Sequence, residues 1–236
     1  MLRNILTEDL RSLCDAIFII IIKQGFTMSV LQQRLLNGWP LFFIIAVFSA
    51  LIMTVGIWSI GVTTAEETVA LLRLSVQISA PWIYITFIAS ALVKLFPSKT
   101  SRWVLRNRRY FGLSFAAAMG WQMLFIIVLF SAYMPYYMEE LHKTSDLILR
   151  TAAYIVLFAL TITSFYPVRR RMRQQHWRWL HLFGVWLMFL SIWVSYASIV
   201  FIEQPTSIAY VMFFLGSIVL IVRLAAYRLS TASTGN

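Results

Sequence analysis

The sequence predicts an all-α integral membrane protein: a six-transmembrane-helix bundle with both termini in the cytoplasm and an N-terminal interfacial helix. Two observations predict this class. Hydrophobic residues make up 60% of the 236 residues and charged residues only 12%, whereas soluble domains are about 45–50% apolar and about 25% charged. The apolar residues also come in long blocks without charge, each close to the roughly 20 residues that a helix needs to cross a bilayer.

Six apolar segments are long enough to span a bilayer. Each is expected to be helical, because hydrocarbon offers no partner for an unpaired backbone N–H or C=O group. In chain order they are approximately Leu41–Gly61, the segment between Arg73 and Lys94, Tyr110–Tyr136, Thr151–Val168, Trp179–Ile202 and Ser207–Val222. We expect one membrane domain over residues 39–228, preceded by an N-terminal segment over residues 1–38 and followed by a tail over residues 229–236.

The charged residues alternate between the segments that join these spans. Basic residues dominate both termini and two of the loops. In the 2–3 loop they are Lys99, Arg102, Arg106, Arg108 and Arg109, and in the 4–5 loop Arg169, Arg170, Arg171, Arg173 and Arg178. The acids of the other three loops are Glu66, Glu67, Glu139, Glu140, Asp146 and Glu203. The positive-inside rule therefore predicts both termini in the cytoplasm, in a bacterial-type inner membrane, and the net charge of +11 needs no nucleic-acid partner.

The N-terminal segment has its own pattern. Its apolar residues approximate one helical face and are Leu2, Ile5, Leu10, Leu13 and Ile17. We interpret it as an amphipathic helix at the membrane surface; a loosely ordered tail, or a true start at Met28, explains the pattern equally well. Cys14 is the single cysteine, so we expect no internal disulfide and no thiolate metal cluster.

The predicted spans carry few residues suited to chemistry. No Asp or Glu falls inside a span, so the proton relay of a pump is not expected. The chain has no Walker loop, no HExxH motif and no Gly-rich dinucleotide fingerprint, and no grouping of ligands suggests a metal site. A transporter would want broken mid-membrane helices, and only Pro81 suggests one. We therefore predict no catalytic residue; His181 is the one histidine inside a predicted span.

Two stretches of the sequence resemble a known membrane family. The first is Trp103–Ala116, WVLRNRRYFGLSFA. The second joins Thr163 and Ser164, through the arginine run, to Trp177–His181, WRWLH. With a weaker match from Pro81 to Pro97, these make roughly residues 40–225 similar to the ferric reductase-like transmembrane family and to the membrane haem subunit of the bacterial methionine sulfoxide reductase system.

The resemblance implies a haem site that this chain keeps only in part. Haem-binding members of that family hold haem b between histidines on helices three and five. His181 falls at the position of the fifth-helix ligand. The third-helix histidine is missing, because the family's positions fall on Met119 and Gln122, and a further family histidine falls on Val194. The usual bis-histidine pair therefore cannot form within this chain.

Two hypotheses follow from the resemblance. In the first, the protein is a haem-free accessory or structural subunit of a larger membrane complex, binds no cofactor, and keeps His181 as a packed side chain. In the second, it is a b-type cytochrome that passes electrons through a haem ligated by His181 and Met119, since methionine is a known axial ligand. Gln122 lies three residues after Met119 and shares its helix face.

The loop arginines and the small residues suggest contacts with partners. Beyond setting topology, the arginines are expected to bind lipid headgroups, haem propionates or a partner chain; the best candidates are Arg108, Arg109, Arg169, Arg170 and Arg171. Small residues favour close packing against other helices; they are Gly56, Gly61, Ser75, Ser79, Ala89, Ser90, Gly112, Ala116, Ala117, Ala118 and Gly120. We expect membrane lipids and other membrane subunits as partners.

Overall fold

The computed structural model describes residues 34–136, 144–202 and 206–232, including all their side chains except those of 144–149 and 230–232. Within these ranges every regular element is helical, which confirms the all-α part of the prediction; the count of six spans and the orientation of the termini stay predictions. The six long helices are α1 (Trp39–Ile60), α2 (Ala65–Leu95), α3 (Lys99–Ala132), α4 (Thr144–Ser164), α5 (Gln174–Phe201) and α6 (Ser207–Ala232). The predicted interfacial helix, Cys14, Met28 and His142 lie outside the described residues.

Five of the helices are long and apolar enough to cross a membrane, namely α1, α2, α3, α5 and α6. In α4 the apolar part is shorter and covers Arg150–Ser164. Several such helices in one chain are characteristic of a multi-pass membrane protein, because an apolar helix satisfies its own backbone groups in lipid.

The segment interpreted as the 2–3 loop is largely helical. α2 ends at Leu95 and α3 begins at Lys99, so the helix that contains the third predicted span begins before Tyr110, and the prediction of a loop over Lys99–Arg109 was wrong. The start is set by a capping box, in which Ser98 Oγ accepts from the backbone N–H of Ser101 at 3.0 Å and Ser101 Oγ accepts from the N–H of Ser98 at 2.9 Å. The basic residues predicted to lie in this loop therefore lie on α3.

The other helices also begin or end at residues different from the bounds of the predicted spans. α2 begins at Ala65, not near Arg73, because Thr64 and Glu67 form a second capping box. α4 ends at Ser164, before Val168, and a separate helical turn occupies Tyr166–Arg169. α5 begins at Gln174 and α6 continues to Ala232. Hydropathy detects the apolar part of each helix and misses the polar turns that extend it.

α2 is the central helix, with contacts to α1, α3, α5 and α6. Small buried residues on α2, including Ser75, Ser79 and Ala89, allow these neighbours to approach closely. The core contains a stacked ring pair, Phe87 of α2 and Phe189 of α5, with centroids 4.0 Å apart. α2 continues through Pro81 without interruption. It is therefore not a helix broken at mid-membrane of the kind that a transporter site uses.

The helices alternate in direction. Trp39 at the start of α1 contacts Tyr110 of α3 and stacks on Phe165, just after α4, at centroid distances of 5.7 and 6.0 Å. At the opposite end, the Tyr133 hydroxyl donates to the carbonyl oxygen of Thr63 at 2.6 Å. The first of these two ends holds the Arg-rich starts of α3 and α5 and the turn between α4 and α5. We call it the arginine-rich end.

Candidate functional site

His181 lies in the second turn of α5, at the arginine-rich end, and is partly buried. Its Nε2 atom is 3.1 Å from the hydroxyl oxygen of Thr163 on α4. The same hydroxyl donates to the carbonyl oxygen of Ala159 at 2.6 Å. A hydroxyl that gives its proton to a backbone carbonyl is left as an acceptor, so the Nε2–H tautomer of His181 is the one that fits.

An aromatic and cationic stack covers the histidine. The ring of Trp177 lies on that of His181, with centroids 4.5 Å apart, and its indole N–H donates to the carbonyl oxygen of Thr163 at 3.2 Å. The guanidinium of Arg169 lies over Trp177, 4.3 Å from the ring centroid. Contacts made by the stretch WRWLH therefore hold the start of α5 against the end of α4.

Met119 lies elsewhere, in the core between α2, α3 and α5. Only 9% of its surface is exposed. Its sulfur lies 3.4 Å from the Ser79 hydroxyl oxygen, and the side chain belongs to the same apolar cluster as Phe87, Phe115 and Phe189. Its environment is that of a packed core residue.

Gln122 is engaged with α4. The Tyr154 hydroxyl donates to its side-chain carbonyl oxygen at 2.9 Å. This contact places Gln122 level with Tyr154, whereas His181 is level with Thr163. The residues from Tyr154 to Thr163 rise about 13 Å along α4, and those from Met119 to Gln122 about 4–5 Å along α3. Met119 and His181 therefore lie at different depths in the bundle.

The described residues do not fit a haem between His181 and Met119. Both ligand atoms would have to reach one iron, yet they lie at different depths and contact Thr163 and Ser79. Stacked aromatic rings fill the core beside Met119. Val194, where the family has a further histidine, is exposed on α5. His176, the other histidine of the described residues, is also exposed.

The predicted arginine candidates fall into two groups. Arg109, Arg169 and Arg170 lie over aromatic rings at the arginine-rich end, at 4.3–5.7 Å from the ring centroids, and Arg171 is exposed. Arg108 instead points inward, and its Nε donates to the backbone carbonyl oxygen of Thr86 on α2 at 3.0 Å. The charges of Arg108 and Arg169 both act on His181.

Arg223 of α6 was not singled out from the sequence as a site residue. Its Nη1 donates to the carbonyl oxygen of Phe87 at 3.1 Å and to the Ser90 hydroxyl, and its guanidinium lies 5.3 Å from the centroid of the Phe87 ring. The signal that could have found it is a lone charge inside the apolar run IVRLAA. An ionisable group in such a run is a functional candidate by default.

Asn107 lies in the stretch Trp103–Ala116 that resembles the ferric reductase-like family, but the sequence predicted no role for it. It is 1% exposed, its Oδ1 accepts from the backbone N–H of Gly38 at 3.0 Å, and its Nδ2 donates to Asn37 Oδ1 and to the Trp103 carbonyl, each at 3.1 Å. The Trp103 indole N–H donates to the carbonyl oxygen of Leu36 at 3.1 Å. These bonds fasten the chain just before α1 to α3, and their role is structural.

The chain gives no match when compared with models of protein families, with characterised proteins or with solved structures. The site residues predicted from the sequence that lie at the arginine-rich end are His181, Arg108, Arg109, Arg169, Arg170 and Arg171. Met119 and Gln122 lie deeper in the bundle.

Proposed function

We propose that the protein is a haem-free relative of the ferric reductase-like class and serves as an accessory or structural subunit of a larger membrane complex. The observation that carries this proposal is the packing around Met119. Phe115 and Met119 of α3, Phe87 of α2 and Phe189 of α5 share one buried cluster. The resembling family holds its haem between the third and fifth helices, and here side chains occupy that space.

A filled interior leaves the outer faces of the helices for binding. Most glycines of the described helices are used internally: an added Cβ at Gly56 would lie 2.7 Å from Leu74, and at Gly184 2.7 Å from Leu160. Gly120 of α3 differs, because an added Cβ would meet nothing within 4 Å, and Ala117 one turn earlier is exposed. This face is where we expect a partner helix to approach closely.

The proposed topology has six spans, with both termini in the cytoplasm of a bacterial-type inner membrane. It is supported by the gathering of Arg108, Arg109 and Arg169 at one end of the bundle, while Glu66 and Glu67 lie in the first turn of α2 at the other end. A one-sided excess of Arg is what the positive-inside rule associates with the cytoplasmic face.

The mass of the assembly in native membranes tests the accessory role. We expect the full-length protein to be extracted in native nanodiscs whose protein mass, without lipid and polymer, is well above the 27.3 kDa of one chain. These particles should contain a second membrane protein in fixed ratio. Gly120→Trp adds bulk at the open face of α3 and should release that protein. Val194→Trp is the matched control, because Val194 is 51% exposed on α5, and it should leave the assembly intact.

Two results would contradict the proposal. A particle containing a single copy of this chain, or several copies of this chain and nothing else, would exclude a subunit of a mixed complex. Equal loss of the second protein in the Gly120 and Val194 variants would show that the α3 face is not the contact surface, because any added bulk would then have the same effect.

A further inference from the structure

Two arginines from different helices converge on one short stretch of α2. Arg108 of α3 donates to the carbonyl oxygen of Thr86 at 3.0 Å, and Arg223 of α6 donates to that of Phe87 at 3.1 Å. These acceptors are consecutive carbonyls of one helix. Consecutive residues of a helix are about 100° apart around its axis, so the two guanidinium groups reach adjacent sides of α2, and their positive charges act on each other.

Both side chains are partly buried. Bringing two like charges together away from water is unfavourable unless an anion compensates them. The carbonyls of Thr86 and Phe87 and the Ser90 hydroxyl accept hydrogen bonds, but they carry no net charge. Arg169 and His181 lie on the same side of the bundle and supply no negative charge either.

The acids of the described chain lie too far away to compensate the pair. Glu66 and Glu67 are in the first turn of α2, and Asp146 lies near the start of α4. Thr86 is 20 residues beyond Glu66 along α2, which corresponds to about 30 Å. The counter-charge must therefore come from outside the described residues.

Guanidinium groups are well suited to one kind of anion. Each presents five N–H donors in a planar arrangement that matches the oxygens of a phosphate group and can bind two of them at once. The contacts to α2 use Nε of Arg108 and Nη1 of Arg223, so each guanidinium keeps further donors. Because α2 holds both groups, a phosphate would meet a preorganised pair.

We propose that Arg108 and Arg223 form a binding site for an anionic phosphate group between α2, α3 and α6. The site does not depend on the accessory role proposed above, because it would bind its ligand with or without a partner chain. A phospholipid headgroup or free phosphate supplies this chemistry, and the experiment distinguishes the two sources.

The test uses full-length protein in mild detergent and native mass spectrometry. Phosphatidylglycerol is titrated in one series and phosphatidylcholine, whose phosphate is neutralised by choline, in another; sodium phosphate is titrated separately with thermal unfolding as the readout. We expect saturable binding of phosphatidylglycerol that weakens by about tenfold or more in Arg108→Gln and in Arg223→Gln, since hydrogen bonds to charged groups are lost. Arg102→Gln is the control, because it removes an exposed charge from the same helix and should change binding less than about twofold.

The source of the phosphate follows from the two titrations. Preference for phosphatidylglycerol with no effect of sodium phosphate assigns the site to a lipid, whereas a saturable rise in Tm with sodium phosphate, lost in both Gln variants, assigns it to free phosphate. Arg223→Lys keeps the charge and should retain intermediate binding. Should the Gln variants fail to fold, the comparison of the two lipids on the unchanged protein decides.

Three outcomes overturn the proposal. The first is equal retention of the two lipids together with no effect of sodium phosphate. The second is an equal loss of binding in Arg102→Gln, which would indicate general surface charge. The third is phosphatidylglycerol binding that appears only when Glu8, Asp9 and Asp15 are replaced together by Gln or Asn, because the chain's own N-terminal acids would then be the counter-charge.

Discussion

The side-chain oxygen of Asn107, in the third turn of α3, accepts a hydrogen bond from the backbone N–H of Gly38 at 3.0 Å. Gly38 precedes α1 and has a φ of +72°, a conformation that glycine adopts readily and other residues rarely do. A buried amide on one helix thus fixes the angle at which the chain enters another.

Replacing Asn107 by Leu should destabilise the protein. The two side chains are similar in size, but Leu cannot accept from Gly38 or donate to Asn37 and Trp103. A buried backbone N–H left without a partner costs about 1–3 kcal/mol. We expect a lower Tm in detergent, measured by intrinsic fluorescence. Arg106→Leu is the comparison, because its bond to Asn37 is exposed; an equal fall in Tm for both would contradict this role of Asn107.

Two glycines should respond in opposite directions to alanine. At Gly184 the new methyl group would lie 2.7–2.9 Å from three atoms of Leu160, and such overpacking costs about 1–3 kcal/mol. At Gly120 it would meet nothing within 4 Å, so Ala should be neutral or should stabilise α3 by about 0.5–1 kcal/mol. Thermal unfolding of both variants checks this. A stable Gly184→Ala protein would show that α4 and α5 are less closely packed than described.

The protein purified from haem-supplied cells should show no Soret or α band in a reduced-minus-oxidised spectrum and no stoichiometric iron. The reason is that Met119 and His181 lie at different depths and have other partners. His181→Ala should leave the spectrum unchanged. The opposite result, a haem signal that disappears in His181→Ala but survives in His176→Ala, would restore the cytochrome hypothesis.

The proposed topology predicts which cysteines are accessible from outside the cell. Because Cys14 is the single cysteine, Cys14→Ser gives a cysteine-free background. In it, Thr206→Cys, exposed just before α6, should react with an impermeant maleimide in spheroplasts, whereas Gln175→Cys, exposed at the arginine-rich end, should react only after permeabilisation. Labelling of Gln175→Cys alone from outside would show the opposite orientation. Labelling of both variants from outside would contradict the proposed alternation of loops between the two sides of the membrane.

The class of fold could be predicted because long apolar blocks have one stable form in lipid. The starts of α2 and α3 could not, because Thr64 and Ser98 cap polar turns that hydropathy does not detect. The residues of the site could be predicted only in part. Arg108 was a candidate on charge alone, but its inward direction depends on the acceptor carbonyl of Thr86, which no local pattern reveals.

The position of α2 in the chain has a consequence for synthesis. The central helix is made before α5 and α6 exist to cover it, so its polar face must first tolerate lipid. Its hydroxyl groups already have hydrogen-bond partners within the helix. Ser75, Ser79 and Thr86 donate to the carbonyl oxygens of Leu72, Val76 and Trp82, respectively, at 2.7–2.9 Å. The newly inserted helix thus carries its own hydrogen-bond partners, and later helices assemble on it without first removing water.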